Sequence, residues 1–175
     1  MTAQFVIRPF RVGDAAEVAA LHLQVWRDTY AGMCSQDYLD AMQLQPRIAG
    51  WEARIAAGAD AVAPDGTVRR ARLAVHAPTG RFAGFCSVGG GRDDERPVEQ
   101  ELMALNVLAQ FHGTGVAQQL VEQTLGGAAA YLWVVRENTR AQAFYRKLGF
   151  VVDGATKRDE ELECDEIRML RATAR

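Results

Sequence analysis

A strand, a glycine turn and a helix in direct succession restrict this chain more than anything else in it. Leu102-Met103-Ala104-Leu105-Asn106-Val107-Leu108 is an apolar run of strand length, rich in aliphatic residues, and reads as a buried strand. Val116, Ala117, Leu120, Val121, Thr124 and Leu125 then recur at helical spacing and draw one apolar stripe, while Gln118, Gln119, Glu122 and Gln123 face outward. Between them lies His112-Gly113-Thr114-Gly115. Two residues without Cβ let the backbone curl tightly, so that unpaired N–H groups at the helix start converge on one concavity where the helix dipole favours an anion. Such a turn suits a phosphate or pyrophosphate, and it equally suits a plain tight connection; alone it leaves both open.

A second unit of the same kind follows. Tyr131-Leu132-Trp133-Val134-Val135 reads as a buried strand, and Arg136-Glu137-Asn138 leads into a helix over Arg140 to Leu148 that Gly149 stops. Together the two units resemble the Gcn5-related N-acetyltransferase superfamily. His112-Gly113-Thr114-Gly115-Val116-Ala117 resembles its Q/R-x-x-G-x-G/A loop, and Glu137-Asn138-Thr139-Arg140-Ala141-Gln142-Ala143-Phe144-Tyr145-Arg146-Lys147-Leu148-Gly149-Phe150 resembles its E-N-x-x-A-x-x-F-Y-x-k-x-G-F motif almost position for position. The resemblance implies an α/β (α+β) fold: a mixed, mostly antiparallel sheet of six to seven strands with a splayed parallel central pair, flanked by about four helices. It implies acetyl-CoA as co-substrate and an amine as acceptor, a small molecule ahead of a protein.

Site residues follow from the same resemblance. Backbone groups of Leu105, Asn106 and Val107 would bind the pantetheine arm, with the Val107 N–H on the thioester carbonyl. The amides of Gly113, Thr114, Gly115, Val116, Ala117 and Gln118 would take the pyrophosphate, next to His112 where the family carries glutamine or arginine. Asn138, Ala141 and Phe144 would line the cofactor. Tyr145 would protonate the departing thiolate, lying two helical turns from Asn138 on the same side. Glu101, at the start of the central strand, would be the base; a strand-end surface charge is the competing reading, and Glu99 shares its face. One branch instead carries a glutamate five residues before the asparagine, where this chain has Trp133.

The rest of the chain reads as one domain, residues 1–175, in the order β, two or three helices, β-β-β, α, β, α, β-β. Asp14 and Glu17 stand three apart, as a capping box would place them, before a helix with Val18, Leu21, His22, Val25 and Trp26 on its inner stripe. His22 is expected as a packed, hydrogen-bonded core residue rather than a catalytic one. Trp26-Arg27-Asp28-Thr29-Tyr30-Ala31-Gly32 resembles the W-x-x-T-Y-x-G stretch of one bacterial branch, which makes Trp26 and Tyr30 candidate acceptor contacts beside a plain packing role. Gly58 to Gly66 is expected as a loop, and Gly89 to Pro97 as a flexible, solvated one.

Charge and cysteine usage exclude several classes. Twenty basic against 22 acidic residues leave a formal charge of -2, which does not suit a nucleic-acid partner. No stretch is apolar for 18 residues and the first residues lack a signal-peptide layout, so a cytoplasmic protein without membrane association is expected. Cys34, Cys86 and Cys164 are far apart in sequence and form no C-x-x-C pair, which predicts inert thiols and no metal. A homodimer stays open, since exposed final strands pair between subunits in this superfamily. Three other readings stay in view: an acyl-CoA-binding sensor without activity, a protein N-terminal or lysine acetyltransferase, and a dinucleotide-binding domain. The last lacks a third glycine at the right spacing.

Overall fold

A computed structural model describes residues 4–58 and 60–172. The apolar runs become strands and the helical stripes become helices, in the order β1 (Phe5–Arg8), α1 (Ala15–Tyr30), α2 (Gln36–Ala41), α3 (Leu44–Ala56), β2 (Ala61–Val62), β3 (Val68–His76), β4 (Phe82–Gly90), β5 (Gln100–Val107), α4 (Val116–Thr124), β6 (Ala130–Val135), α5 (Thr139–Lys147), β7 (Val151–Asp159) and β8 (Cys164–Arg171). The sheet runs β1-β3-β4-β5-β6-β8-β7, with β2 paired to β3 at the side. Its neighbours are antiparallel except β5 and β6, which run parallel. The mixed α/β architecture is the expected one. It has eight strands among the described residues because the stretch Gly58 to Gly66, expected as loop, contributes β2, and five α-helices, three of them between β1 and β2, where two or three were expected.

Strand alternation sends neighbouring side chains to opposite layers. Phe85 of β4 faces α1 and α3, where its ring meets Trp51 at 4.9 Å and His22 at 5.3 Å between centroids. The next residue, Cys86, faces α4 and contacts Thr124. The predicted stripe of α4 is buried at Val116, Leu120, Val121 and Thr124. Each fully covered aliphatic or aromatic side chain contributes roughly 1.5–3 kcal/mol of transfer free energy.

Two local readings are corrected. The capping box at Asp14 and Glu17 does not form: the Asp14 side chain makes no cap hydrogen bond to α1. Arg8 donates to it at 2.7 and 2.9 Å, and the Arg11 amide at 2.7 Å, so the carboxylate ties β1 to the entry of α1. Glu17 accepts instead from the Phe82 amide at 3.3 Å. The second is the stretch expected as a flexible loop. Its first residues extend β4 to Gly90, and Arg92 and Asp93 are bonded into the face of the sheet, as described below. Gly91 approaches Tyr131 so closely that a Cβ there would lie 2.8 Å from its ring and hydroxyl.

Burial alone would raise the pKa of Asp14, but the hydrogen bonds from Arg8 and Arg11 outweigh it and hold the carboxyl below its usual range. A carboxyl depressed on folding stabilises the protein above its unfolded pKa of about 3.9, and that contribution is lost as pH falls through the folded value. Asp14→Asn is expected to lower stability by about 2 kcal/mol at pH 7 and to flatten the acid limb of stability against pH. Urea unfolding at pH 7 and pH 3 checks both; equal stability of the two proteins at pH 7 would remove the role given to this carboxylate.

Candidate active site

The parallel pair β5 and β6 is joined at one position, Glu101 opposite Tyr131, at the beginning of both strands. Beyond it the strands part, and a cleft of about 780 Å³ opens through the sheet from the α4–α5 side to the α1–α3 side. Leu108 donates its N–H to Ala83 O at 2.9 Å. By alternation Asn106 also turns its backbone toward β4, whereas Leu105 and Val107 turn theirs into the gap. The Val107 carbonyl accepts from His112 Nε2 at 3.0 Å, which leaves its N–H for the cleft. Asn106 was expected to act through its backbone; it reaches the cleft with its side chain instead, which is 8% exposed and makes no hydrogen bond among the described residues.

At the mouth of the cleft the glycine turn adopts the conformation its composition suggests. Gly113 and Gly115 have φ of 77° and 84°, in the left-handed region, and the turn delivers Val116, Ala117 and Gln118 as the first residues of α4, whose N–H groups have no acceptor within the helix. Thr114 differs from expectation: its amide and hydroxyl both donate to Phe111 O, at 3.4 and 2.7 Å, so it braces the turn. His112 bridges Val107 O and Arg140, whose guanidinium hydrogen-bonds Nδ1. These contacts assign the proton to Nε2 and leave Nδ1 as acceptor. Arg140, not singled out from the sequence, lines the cleft next to Gly113 and adds a cation to the anion-favouring turn.

Helix α5 supplies one wall. Asn138 Oδ1 caps the helix by accepting from the Ala141 amide at 3.1 Å, and its remaining amide hydrogens face the cleft. Ala141, Phe144 and Tyr145 line the same wall. The Tyr145 hydroxyl has no partner among the described residues, and burial pushes its pKa well above the ordinary phenol value, with smaller contributions from Tyr30 and Cys86.

The opposite end is aromatic. Trp26 and Tyr30 stack edge to face at 5.3 Å, and both line the cleft with His22. Burial pushes the Tyr30 phenol up to about 12. His22 differs from the hydrogen-bonded core residue expected: it is half-buried, makes no hydrogen bond among the described residues, and packs edge-on against Trp26, Trp51 and Phe85. Burial, then Arg47 and Arg54, lower its pKa to about 4, so it is neutral at pH 7. The three thiols are free, and Cys34 and Cys164, remote in sequence, share one apolar cluster with Tyr30.

Glu101, read from the sequence as the base, is fully committed to other groups. It is 1% exposed and receives the Arg92 amide at 3.1 Å, the Arg92 guanidinium at 3.1 and 2.5 Å, and the Tyr131 hydroxyl at 3.2 Å. Burial would raise its pKa, but these donors prevail and hold it below the usual carboxylate range. Asp93 extends the network by accepting from Trp133 Nε1 at 2.8 Å. Glu99 is exposed and pairs with Arg96 at 2.8 Å. The acidic side chain that does line the cleft is Glu166 of β8, a residue the sequence did not single out. Among the described residues no three His, Cys, Asp or Glu side chains cluster as metal ligands, and no helix is long and apolar enough to cross a membrane.

Comparison with known proteins agrees with this architecture. A family model described as an acetyltransferase (GNAT) domain matches residues 69–152, which carry β3 through α5 and the start of β7. An uncharacterized N-acetyltransferase of Mycobacterium tuberculosis is 40% identical over 81 residues, 43% of this chain and 49% of the relative. The match therefore spans about half the length of that protein. An uncharacterized N-acetyltransferase of Bacillus subtilis is 24% identical over 138 residues, 75% of this chain and 72% of the relative. In fold the chain is similar to PaiA N-acetyltransferase from Thermoplasma acidophilum, solved in complex with coenzyme A, with a TM-score of 0.68 at 17% identity over 97% of this chain and 99% of that one. It is also similar to YncA from Salmonella typhimurium, solved with its cofactor acetyl-CoA, with a TM-score of 0.64 at 16% identity over 99% of this chain and 96% of the other. Residues 69–152, which contain the parted parallel strands and the glycine turn at their mouth, are thus similar to an acetyltransferase (GNAT) domain.

Proposed function

We propose that this protein transfers an acetyl group from acetyl-CoA to the primary amine of a small molecule, by direct attack, with Tyr145 as proton donor to the departing thiolate. The observation that carries the reading is the single bridge between β5 and β6, which leaves the Val107 N–H without a strand partner inside a cleft that a glycine turn opens for an anion. Two proteins of similar fold were solved with coenzyme A or acetyl-CoA. Three free thiols suit a cytoplasmic setting.

In this reading the diphosphate rests on the amides that open α4, beside Arg140, and the pantetheine arm takes Leu105, Val107 and the Asn138 side-chain amide in place of a strand partner. The Val107 N–H polarises the thioester carbonyl and stabilises the oxyanion as the amine nitrogen bonds to the carbonyl carbon. The C–S bond then breaks, and the sulfur takes the Tyr145 proton. Burial keeps that phenol protonated across physiological pH, so the donor is always loaded, though the transfer to a thiolate of pKa about 8.5 is uphill and is best coupled to loss of the amine proton. Glu101 serves this machinery by holding the loop that starts at Arg92 against β6.

A binding-only protein is the second reading, and the capture of Glu101 by Arg92 favours it. Release of free thiol from acetyl-CoA with a panel of primary amines separates the two, and no release with any amine would leave only binding. Tyr145→Phe is expected to lower kcat by about 10²-fold with acetyl-CoA affinity nearly unchanged; a rate equal to wild type in a thiol-release assay would remove its role. Gly115→Ala places a Cβ in the left-handed region, at a cost of about 1–2 kcal/mol. It is expected to weaken acetyl-CoA binding about tenfold, and calorimetry showing equal affinity would take the turn out of the site.

A further inference from the structure

The Glu101 network leaves the site without the base expected for it, and the cleft offers one replacement. Among the described residues Glu166 is the single carboxylate lining the main cleft. It stands on β8 opposite Val135 of β6 and Lys157 of β7, which puts it on the side of the sheet that faces α1. Its side chain is 16% exposed. Its one ionic partner is Lys157 Nζ at 3.4 Å, and it accepts no hydrogen bond among the described residues. Lys157 in turn sits over the Trp133 ring at 4.2 Å and is 42% exposed, so solvent shares its charge. Glu101 takes four donors on its two oxygens and does not line the cleft; Glu166 does.

The surroundings connect this carboxylate to the reacting end. Tyr30, Tyr145 and Glu166 all line the one cleft. Trp26, Tyr30 and Trp133 give this end apolar faces that suit the stem of an alkyl or arylalkyl amine.

We propose that Glu166 is the general base of the reaction: it receives the acceptor as an ammonium ion, takes one proton from it, and so selects a primary amine on an apolar stem. The inference rests on the acetyltransferase reading above. The ammonium N–H bond breaks, and its proton goes to the Glu166 carboxylate and from there to solvent. The freed nitrogen lone pair bonds to the thioester carbon, the C–S bond breaks, and sulfur is protonated by Tyr145, which regains a proton from the nascent amide nitrogen through water. The groups facing Glu166 are Tyr30 from α1, Arg92 from the loop after β4, Lys157 and Asp159 from β7, and Cys164 from its own strand. Burial raises its pKa against the pull of Lys157 and Arg92, which moves the acid limb of activity upward from the ordinary carboxylate value of about 4.3.

The test uses thiol release from acetyl-CoA with phenethylamine and 1,5-diaminopentane across pH 5 to 9, together with acetyl-CoA calorimetry. Glu166→Gln is expected to lose about 10²-fold in kcat/KM and the acid limb with it, to keep its acetyl-CoA affinity, and to be partly rescued in Glu166→Asp with that limb displaced. An E166Q protein within threefold of wild type on the same pH profile overturns the assignment of the base while the transferase reading stands. Wild-type protein that binds acetyl-CoA yet releases no thiol with either amine overturns both. Should E166Q fail to fold, E166D decides: a displaced acid limb supports the role of Glu166, and an unaltered profile overturns it.

Discussion

The architecture depends on a buried carboxylate at the root of the central strands, paired with an arginine that stays in contact with solvent. Glu101, on the one bridging position between β5 and β6 among the described residues, holds Arg92 and the Tyr131 hydroxyl, and so pins the loop after β4 across both strands where they still touch. A carboxylate taken this far from water is tolerable only with its lone pairs satisfied, and four donors satisfy them. Above that point nothing bridges the two strands, and their separation exposes backbone groups that a closed sheet would have used.

The cleft that results has two chemically different ends. Toward α4 and α5 it is built from amides, Arg140 and a capping asparagine, a lining matched to a long polar ligand ending in a diphosphate. Toward α1 and α3 it is built from rings, with His22 held neutral by burial and by Arg47 and Arg54. Tyr145 stands at the junction, close to Tyr30. The division has a simple origin in the strand alternation of β4 and β5, which turns Phe85 to one layer and Cys86 to the other.

Much of this was legible along the chain because it is local. The curl at Gly113 and Gly115, the α4 stripe and the seven-residue spacing from Asn138 to Tyr145 are consequences of neighbours within two turns, and they appear where the sequence placed them. Where a local rule failed, a distant partner outcompeted it. Asp14 left its capping position because Arg8 offered two charge-assisted hydrogen bonds, and Arg92 and Asp93 were tied to the sheet by Glu101, Tyr131 and Trp133 while Asp94 to Pro97 stay exposed.

Read as a string, the chain declares a family resemblance, the order of its elements and the residues of one wall of the cleft, since periodicity, turn chemistry and a short motif are written in consecutive residues. It does not declare which carboxylate is free. Glu101 and Glu166 look alike in one dimension; folding surrounds the first with donors from a loop and a neighbouring strand and leaves the second beside one half-solvated lysine. The meeting of Cys34 with Cys164 and the aromatic surround of His22 belong to the same class. Such properties arise from contacts between segments far apart in the chain, and they exist only once the sheet has brought those segments together.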